Sequence, residues 1–141
     1  GNRALLQAER HDGMVAVLFI DLNRFKSVND AHGHAVGDAL LQQVADRLVL
    51  CVRASDTVAR VGGDEFVILL TDLSHDDDAY QVADKVHLAM VQPFRVEGVD
   101  IDVGASVGMA RYPHDGVDMT MLLKFADEGL YQAKRAAGRP D

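Results

Sequence analysis

Residues 58–70 read VARVGGDEFVILL: two strand-like runs, Val58–Val61 and Phe66–Leu70, held apart by Gly62, Gly63, Asp64 and Glu65. Apolar, largely β-branched runs separated by a short glycine-containing break predict a β-hairpin, with its turn at GGDE. Such a turn interrupts a buried sheet and displays two acids side by side, where they are able to do chemistry.

Upstream, Met14–Ile20 (MVAVLFI) is an uninterrupted apolar run, the pattern of a strand covered on both faces and therefore central in its sheet. Residues 3–11 read as a short helix. From Leu40 the apolar positions fall at 40, 41, 44, 45, 48 and 49, the stripe of an amphipathic helix that leaves Asp46 and Arg47 facing water. Downstream, Ser74 followed by Asp77 resembles a capping box, and positions 79, 82, 83, 86 and 90 make another helical stripe. Residues 94–103 (FRVEGVDIDV) read as a second hairpin turning at Glu97-Gly98. There Val99, Ile101 and Val103 alternate with Asp100 and Asp102, as on a half-exposed sheet edge. Gly104–Ala110 adds a strand, and a last helix runs from about Asp118 with its stripe at 122, 125, 126, 130 and 133. The fold class predicted is α+β, with helices packed on a largely antiparallel sheet, in one domain spanning residues 1–141.

Composition narrows the function. A chain of 141 residues, 48% hydrophobic, can bury a sizeable core, yet its apolar runs are far shorter than the ~20 residues that span a bilayer. No signal peptide is visible, and the lone Cys51 supports neither a disulfide framework nor a cysteine metal site, so a cytoplasmic setting is expected. A formal charge of −8 argues against binding nucleic acid. It is compatible with a nucleotide held through divalent cations. The six histidines are scattered without HExxH spacing, which disfavours zinc.

The central strand ends in FIDLNRFKSVNDAHGHAVGD (19–38), where Asp21 appears as the apolar run stops. Strand alternation puts Asp21 and Asn23 on one face and Leu22 on the other. Adjacent strands lie ~4.8 Å apart, so the GGDE turn can come to rest beside Asp21 and gather a cluster of carboxylates. Carboxylates so placed repel one another unless a cation neutralises them, and hard oxygen ligands suit Mg²⁺ or Mn²⁺. An alternative reading stands beside this one: Asp21 caps the following helix, and GGDE is a plain polar turn whose glycines supply positive φ.

The ensemble resembles the GGDEF family of diguanylate cyclases. Gly62, Gly63, Asp64, Glu65 and Phe66 spell its signature, and its first-strand motif is met by Asp21, Phe25, Lys26, Asn29, Asp30, Gly33, His34, Gly37 and Asp38. Ser106-Val-Gly108, Tyr112-Pro113, Ala126-Asp127 and Leu130-Tyr131-Gln-Ala-Lys134 match later family motifs. The family usually opens with D-x-L-T-G-L-x-N-R where this chain begins Gly1-Asn2-Arg3, so the domain reads as slightly truncated at its start. The style of DLNRFKSVND resembles domains fused to a cyclic di-GMP phosphodiesterase of the EAL type.

The resemblance implies a nucleotide-cyclase or polymerase-palm fold and condensation of two GTP into cyclic di-GMP with loss of two pyrophosphates. It implies Mg²⁺ (or Mn²⁺) held by Asp21, the backbone carbonyl of Leu22, and Asp64. Asp64 and Glu65 would act on the attacking 3′-hydroxyl, Glu65 otherwise forming a salt bridge in the turn. Asn29 and Asp38 would read guanine, whose Watson–Crick edge offers two donors to one carboxylate. His34 would lie near the substrate unless it packs on its helix, and Lys26 and Lys134 would reach the triphosphate, although an isolated lysine is by default solvated. At Gly62 and Gly63 a Cβ would keep the backbone from a close approach to the nucleotide, and Phe66 would point into the core. Arg53-Ala-Ser-Asp56 has the register of the family's inhibitory product site, R-x-x-D; an ordinary surface ion pair is the alternative. Catalysis would require a homodimer, each domain bringing one GTP. Two departures stand out: Asn23 replaces the second acid of the usual D-x-D, and the terminal A-K-x-x-G-R appears one residue longer at 133–139. They leave room for a second reading, a non-catalytic module that binds GTP or cyclic di-GMP and controls an attached domain.

Overall fold

The computed structural model describes residues 13–75 and 77–136; the helix expected over residues 3–11 lies outside them, as does Arg139. The elements in order are β1 (Met14–Leu22), α1 (Phe25–His32), α2 (His34–Val49), β2 (Thr57–Gly62), β3 (Glu65–Leu73), α3 (Asp77–Val91), β4 (Phe94–Val96), β5 (Val99–Ile101), β6 (Ala105–Tyr112) and α4 (Met119–Ala136). The main sheet has the order β2-β3-β1-β6, and each of its pairings is antiparallel. The continuous apolar run of β1 is thus central, as its pattern predicts.

Alternation along β1 divides the interior into two cores. Ala16, Leu18, Ile20 and Leu22 face one way and join Phe66, Ile68 and Leu70 of β3 with Leu40, Leu41, Val44 and Leu48 of α2 and Val86 and Met90 of α3. Val15 and Val17 face the other way and meet Ala110, Tyr112, Leu122 and Ala126 beneath α4. Each fully buried Val, Leu or Ile contributes roughly 1.5–3 kcal/mol. A strand buried on both faces therefore fixes its own register.

The second face is shaped by small side chains. Ser106, Gly108 and Ala110 of β6 lie opposite Asp21, Phe19 and Val17. A Cβ added to Gly108 would stand 2.0 Å from the carbonyl oxygen of Ala126 and 2.3 Å from the amide nitrogen of Leu130. The helix backbone therefore rests directly on the strand. This closeness corrects the expected α4 stripe: Leu122, Ala126, Leu130 and Lys134 are buried, whereas Phe125 stays 46% exposed. A helix lying so near the sheet presents a single i, i+4 row to it, and a residue 100° around the axis is lifted clear.

Four further expectations are corrected. The second hairpin forms a separate two-stranded sheet, because β6 takes the place beside β1; Phe94, Val96 and Ile101 turn into the core while Arg95 and Asp100 pair outside at 3.1 Å. Its turn is as read, with positive φ at both Glu97 and Gly98. Arg47 does not face water. Its guanidinium donates to the carbonyls of Ala89, Gln92 and Pro93 and lies 3.5 Å over the Phe94 ring, joining α2 to the end of α3. Val49 is the last residue of α2 and remains exposed. At the start of α3 the acid that reaches back is Asp78, which accepts from the amides of Ser74 and His75, rather than Asp77.

The strand–helix contact gives a direct test. Gly108→Ala should destabilise the domain by about 2–3 kcal/mol or more, since both clashing atoms belong to backbone and cannot rotate away. Urea denaturation would measure it, and a midpoint equal to that of the unsubstituted protein would count against the close packing of α4.

Candidate active site

Strand pairing builds the site from its floor. Asp21, near the end of β1, lies opposite Glu65 on β3 and opposite Ser106 on β6, so Glu65, Asp21 and Ser106 form one row across the sheet, on the face covered by α4. The turn is fastened next to this row: the Leu22 amide donates to the Asp64 carbonyl at 3.3 Å, with Leu22 itself fully buried. From above, α4 delivers Lys134, whose Nζ lies 3.3 Å from Asp21 Oδ2. Both side chains are about nine-tenths buried. Lys134 is thus no solvated surface lysine.

The charge balance is uneven. Burial pushes the Asp21 carboxyl up to about 7 from its ordinary 3.8; the Asp64 carboxylate adds to the rise, Lys134 opposes it, and Glu65 contributes last. One ammonium does not offset desolvation together with two neighbouring carboxylates. Asp21 Oδ1 is buried without a hydrogen-bond partner. Among the described residues no three His, Cys, Asp or Glu side chains form a ready metal centre. The site offers the Asp21 carboxyl with its orphaned oxygen, the neighbouring carboxylates of Asp64 and Glu65, and surplus negative charge. These hard oxygen donors fit Mg²⁺ or Mn²⁺ in kind.

The glycines of the turn bear on one part of the alternative reading, that they are there to supply positive φ. Neither Gly62 nor Gly63 has positive φ, so the turn does not need them for backbone reasons. A Cβ at either would meet nothing within 4 Å. The space beside both positions is open. Phe66, by contrast, is buried as expected.

The remaining predicted residues fall into three places. On α1, Asn29 is half-buried, and its Oδ1 is unpartnered within the protein; a Cβ at Gly37 would stand 1.8 Å from that oxygen, so Gly37 makes room for it. Asp38 is exposed and lines a cavity of about 230 Å³ with Leu41, Val58, Arg60 and Phe66. Lys26 and His34 are exposed. Arg53 and Asp56 are not brought to the turn; they lie before the opposite end of β2, about 20 Å away for a six-residue strand. Their pair is more than a surface contact. Asp56 accepts from the Arg53 and Thr71 amides and from the Arg53 guanidinium, which also donates to the Thr71 carbonyl. It therefore ties the start of β2 to β3, beside a cavity of about 330 Å³ lined by Cys51, Arg53, Asp78, Gln81 and Lys85.

Two participants escape sequence reasoning. Ser106 donates to Asn23 Oδ1 at 2.7 Å, which occupies the oxygen of the residue replacing the second acid. Arg60 donates from Nε to the Gly63 carbonyl at 2.9 Å. Its only sequence signal is a charge on an otherwise apolar run two residues before the glycines.

An antiparallel sheet flanked by helices, with acids from a strand end and a hairpin turn set side by side, defines a palm-type nucleotide-cyclase fold. The family model described as "Diguanylate cyclase, GGDEF domain" matches residues 2–140, and the chain belongs to that family. It is 46% identical over 132 residues to the bifunctional diguanylate cyclase/cyclic di-GMP phosphodiesterase MucR of Pseudomonas aeruginosa, covering 94% of this chain and 19% of MucR. It is 43% identical over 137 residues to the diguanylate cyclase TpbB of the same species, covering 96% of this chain and 32% of TpbB. The chain thus spans a third or less of the length of these relatives. The crystal structure of the GGDEF domain of TpbB superposes with a TM-score of 0.94 at 42% identity, over 99% of this chain and 87% of that one.

The displaced carboxyl has a pH signature. Native Asp21 keeps its proton to about pH 7, whereas the unfolded chain releases it near 3.8, so the native state binds more protons in between and stability falls as pH rises through that window. Asp21→Asn mimics the protonated form. In EDTA the variant should melt several degrees above the unsubstituted protein at pH 8, and the gap should close near pH 4. An Asn variant no more stable at pH 8 would refute the surplus of negative charge.

Proposed function

We propose that this domain condenses two GTP molecules into cyclic di-GMP with release of two pyrophosphates, dependent on Mg²⁺ or Mn²⁺. The observation that carries the reading is the intact GGDE turn fastened beside a buried, under-compensated Asp21. Asp21, the Leu22 carbonyl and Asp64 would hold the ion, whose chemistry when bound is to neutralise phosphate charge and acidify the 3′-hydroxyl. Around it the chain's own groups bind and orient. Gly62 and Gly63 leave the turn open to the nucleotide, as the empty space at both positions supports. Asn29 and Asp38 read guanine, the orphaned Asn29 Oδ1 being an acceptor that awaits a donor. Lys26 and Lys134 hold the triphosphate, with His34 close by, and Asp64 with Glu65 polarises the attacking hydroxyl. One domain provides one GTP, so the reaction needs two domains facing each other as a homodimer.

Product inhibition at Arg53 and Asp56 belongs to the same proposal. The cavity beside them is lined by Asp78, Gln81 and Lys85 together with apolar side chains such as Leu70 and Val82, and an arginine fork suits a dinucleotide phosphate. Asp56 is buried and engaged by backbone amides, whereas the Arg53 side chain is 54% exposed and would exchange its bonds to Asp56 and the Thr71 carbonyl for the ligand. No helix among the described residues is long and apolar enough to cross a membrane; on the proposed reading the domain works on nucleotides in the cytoplasm.

One observation favours the second reading, a binding module without catalysis. Asn23 carries no charge and its oxygen is taken by Ser106, which leaves fewer ligands for a second ion.

Concentrated or artificially dimerised protein incubated with GTP and Mg²⁺ should form cyclic di-GMP, detected by chromatography. GTP binding without product would select the binding module. Asp38→Ala should weaken GTP at least ~10-fold more than ATP, as expected when a buried-edge donor pair loses its acceptor; equal losses would sink the guanine assignment. Arg53→Ala should leave the initial rate intact and remove inhibition by added cyclic di-GMP, and persistence of that inhibition would exclude Arg53.

A further inference from the structure

The GGDE turn lacks the usual means of holding itself. Gly62 pairs with Glu65, leaving Gly63 and Asp64 as a two-residue loop. Loops of this length are favoured in hairpins as type I′ or II′ turns, which require positive φ. Neither Gly63 nor Asp64 has it. The ladder below is also interrupted: the register shifts between Arg60 and Gly62, and Val61 is 54% exposed. Two successive glycines raise the entropic cost of ordering this loop further. Yet Asp64 is held beside the end of β1, where Asp21 pairs with Glu65 and the Leu22 amide reaches the Asp64 carbonyl.

Two hydrogen bonds supply the missing restraint, and they grip successive carbonyls. Arg60 Nε donates to the Gly63 carbonyl from within the hairpin, and the Leu22 amide donates to the Asp64 carbonyl from β1. With both peptide planes fixed, the Asp64 side chain leaves the backbone in a set direction. Arg60 is well placed for this task because it lies opposite Phe66, on the side of the sheet that faces α2 and the cavity containing Asp38. A lysine carries the same charge but has no Nε–H at that distance along its stem.

Resting on the cyclase reading above, we propose that Arg60 is a positioning residue for the metal carboxylate: its Nε–H bond to Gly63 sets the turn so that Asp64 meets the ion bound with Asp21. Arg60 acts through the turn, and its loss should therefore be felt as a loss of metal-dependent binding and not of fold.

Arg60→Lys, which preserves charge, is the test, read in two ways. Amide hydrogen exchange by NMR reports the turn itself: the Leu22 N–H, which depends on the Asp64 carbonyl, should exchange at least ~10-fold faster in the variant, while the Val17 amide in the centre of β1 should not change. Calorimetry then reports the consequence: GTP affinity in Mg²⁺ should fall about 10-fold, whereas GTP affinity in EDTA should hold. Unchanged Leu22 exchange overturns the proposal, as does faster exchange with unaltered Mg²⁺-dependent affinity. Should the unsubstituted protein bind no GTP in Mg²⁺, the cyclase reading fails and the role of Arg60 toward a metal falls with it; GTP bound in Mg²⁺ but never converted would remove catalysis and leave the positioning role standing.

Discussion

The architecture depends on placing an ionisable carboxylate, Asp21, at the end of a strand that is buried on both faces. Desolvation makes such a group expensive to ionise, and only the surroundings decide whether it becomes a fault or a binding site. Here they are arranged around it: β3 brings Glu65 and the turn, β6 brings Ser106, and α4 brings Lys134. The last of these needs α4 to touch the sheet, which the bare backbone of Gly108 permits. A packing detail in the second core thus sets the electrostatics of the site.

The hairpin and the strand end meet as rigid parts would. Pairing registers fix Asp21 against Glu65, and the carbonyls of Gly63 and Asp64 are each held by a donor from a different strand. At the opposite end of the same hairpin, Asp56 performs a similar task by accepting from the Thr71 amide. Both ends of β2 are therefore tied by side chains and not by ladder bonds alone. This suits an edge strand that is exposed along most of its length.

Much of this was legible in the sequence, and the exceptions have a common cause. The uninterrupted run of β1, the break at GGDE and the Glu97-Gly98 turn each carry a local signal, because period and turn chemistry act between near neighbours. Side-chain reach carries none. Arg47 looks like a solvated helix residue until the carbonyls 42 to 46 positions away close around it. Phe125 fits the apolar stripe of its helix, and only the closeness of Gly108 shows that the stripe is one row wide. In the site, Asp21, Asp64 and Asn29 were visible as acids and amides in a pattern. The engagement of Asp56 and the grip of Arg60 on the turn depend on which carbonyls happen to lie within reach.

The pairing of Lys134 with Asp21 bears on the order in which ligands can arrive. On the proposed reading both have another partner, the ion for Asp21 and the triphosphate for Lys134. A divalent ion entering alone would share the Asp21 carboxylate with the ammonium and answer the surplus of negative charge, but would bring Lys134 no phosphate. A triphosphate entering alone would draw Lys134 away and expose Asp21 to Asp64 and Glu65 uncompensated. Entering together, ion and phosphate satisfy both groups at once. On that reading the ion pair would favour the metal–nucleotide complex over the nucleotide alone, through charge balance at a buried carboxylate.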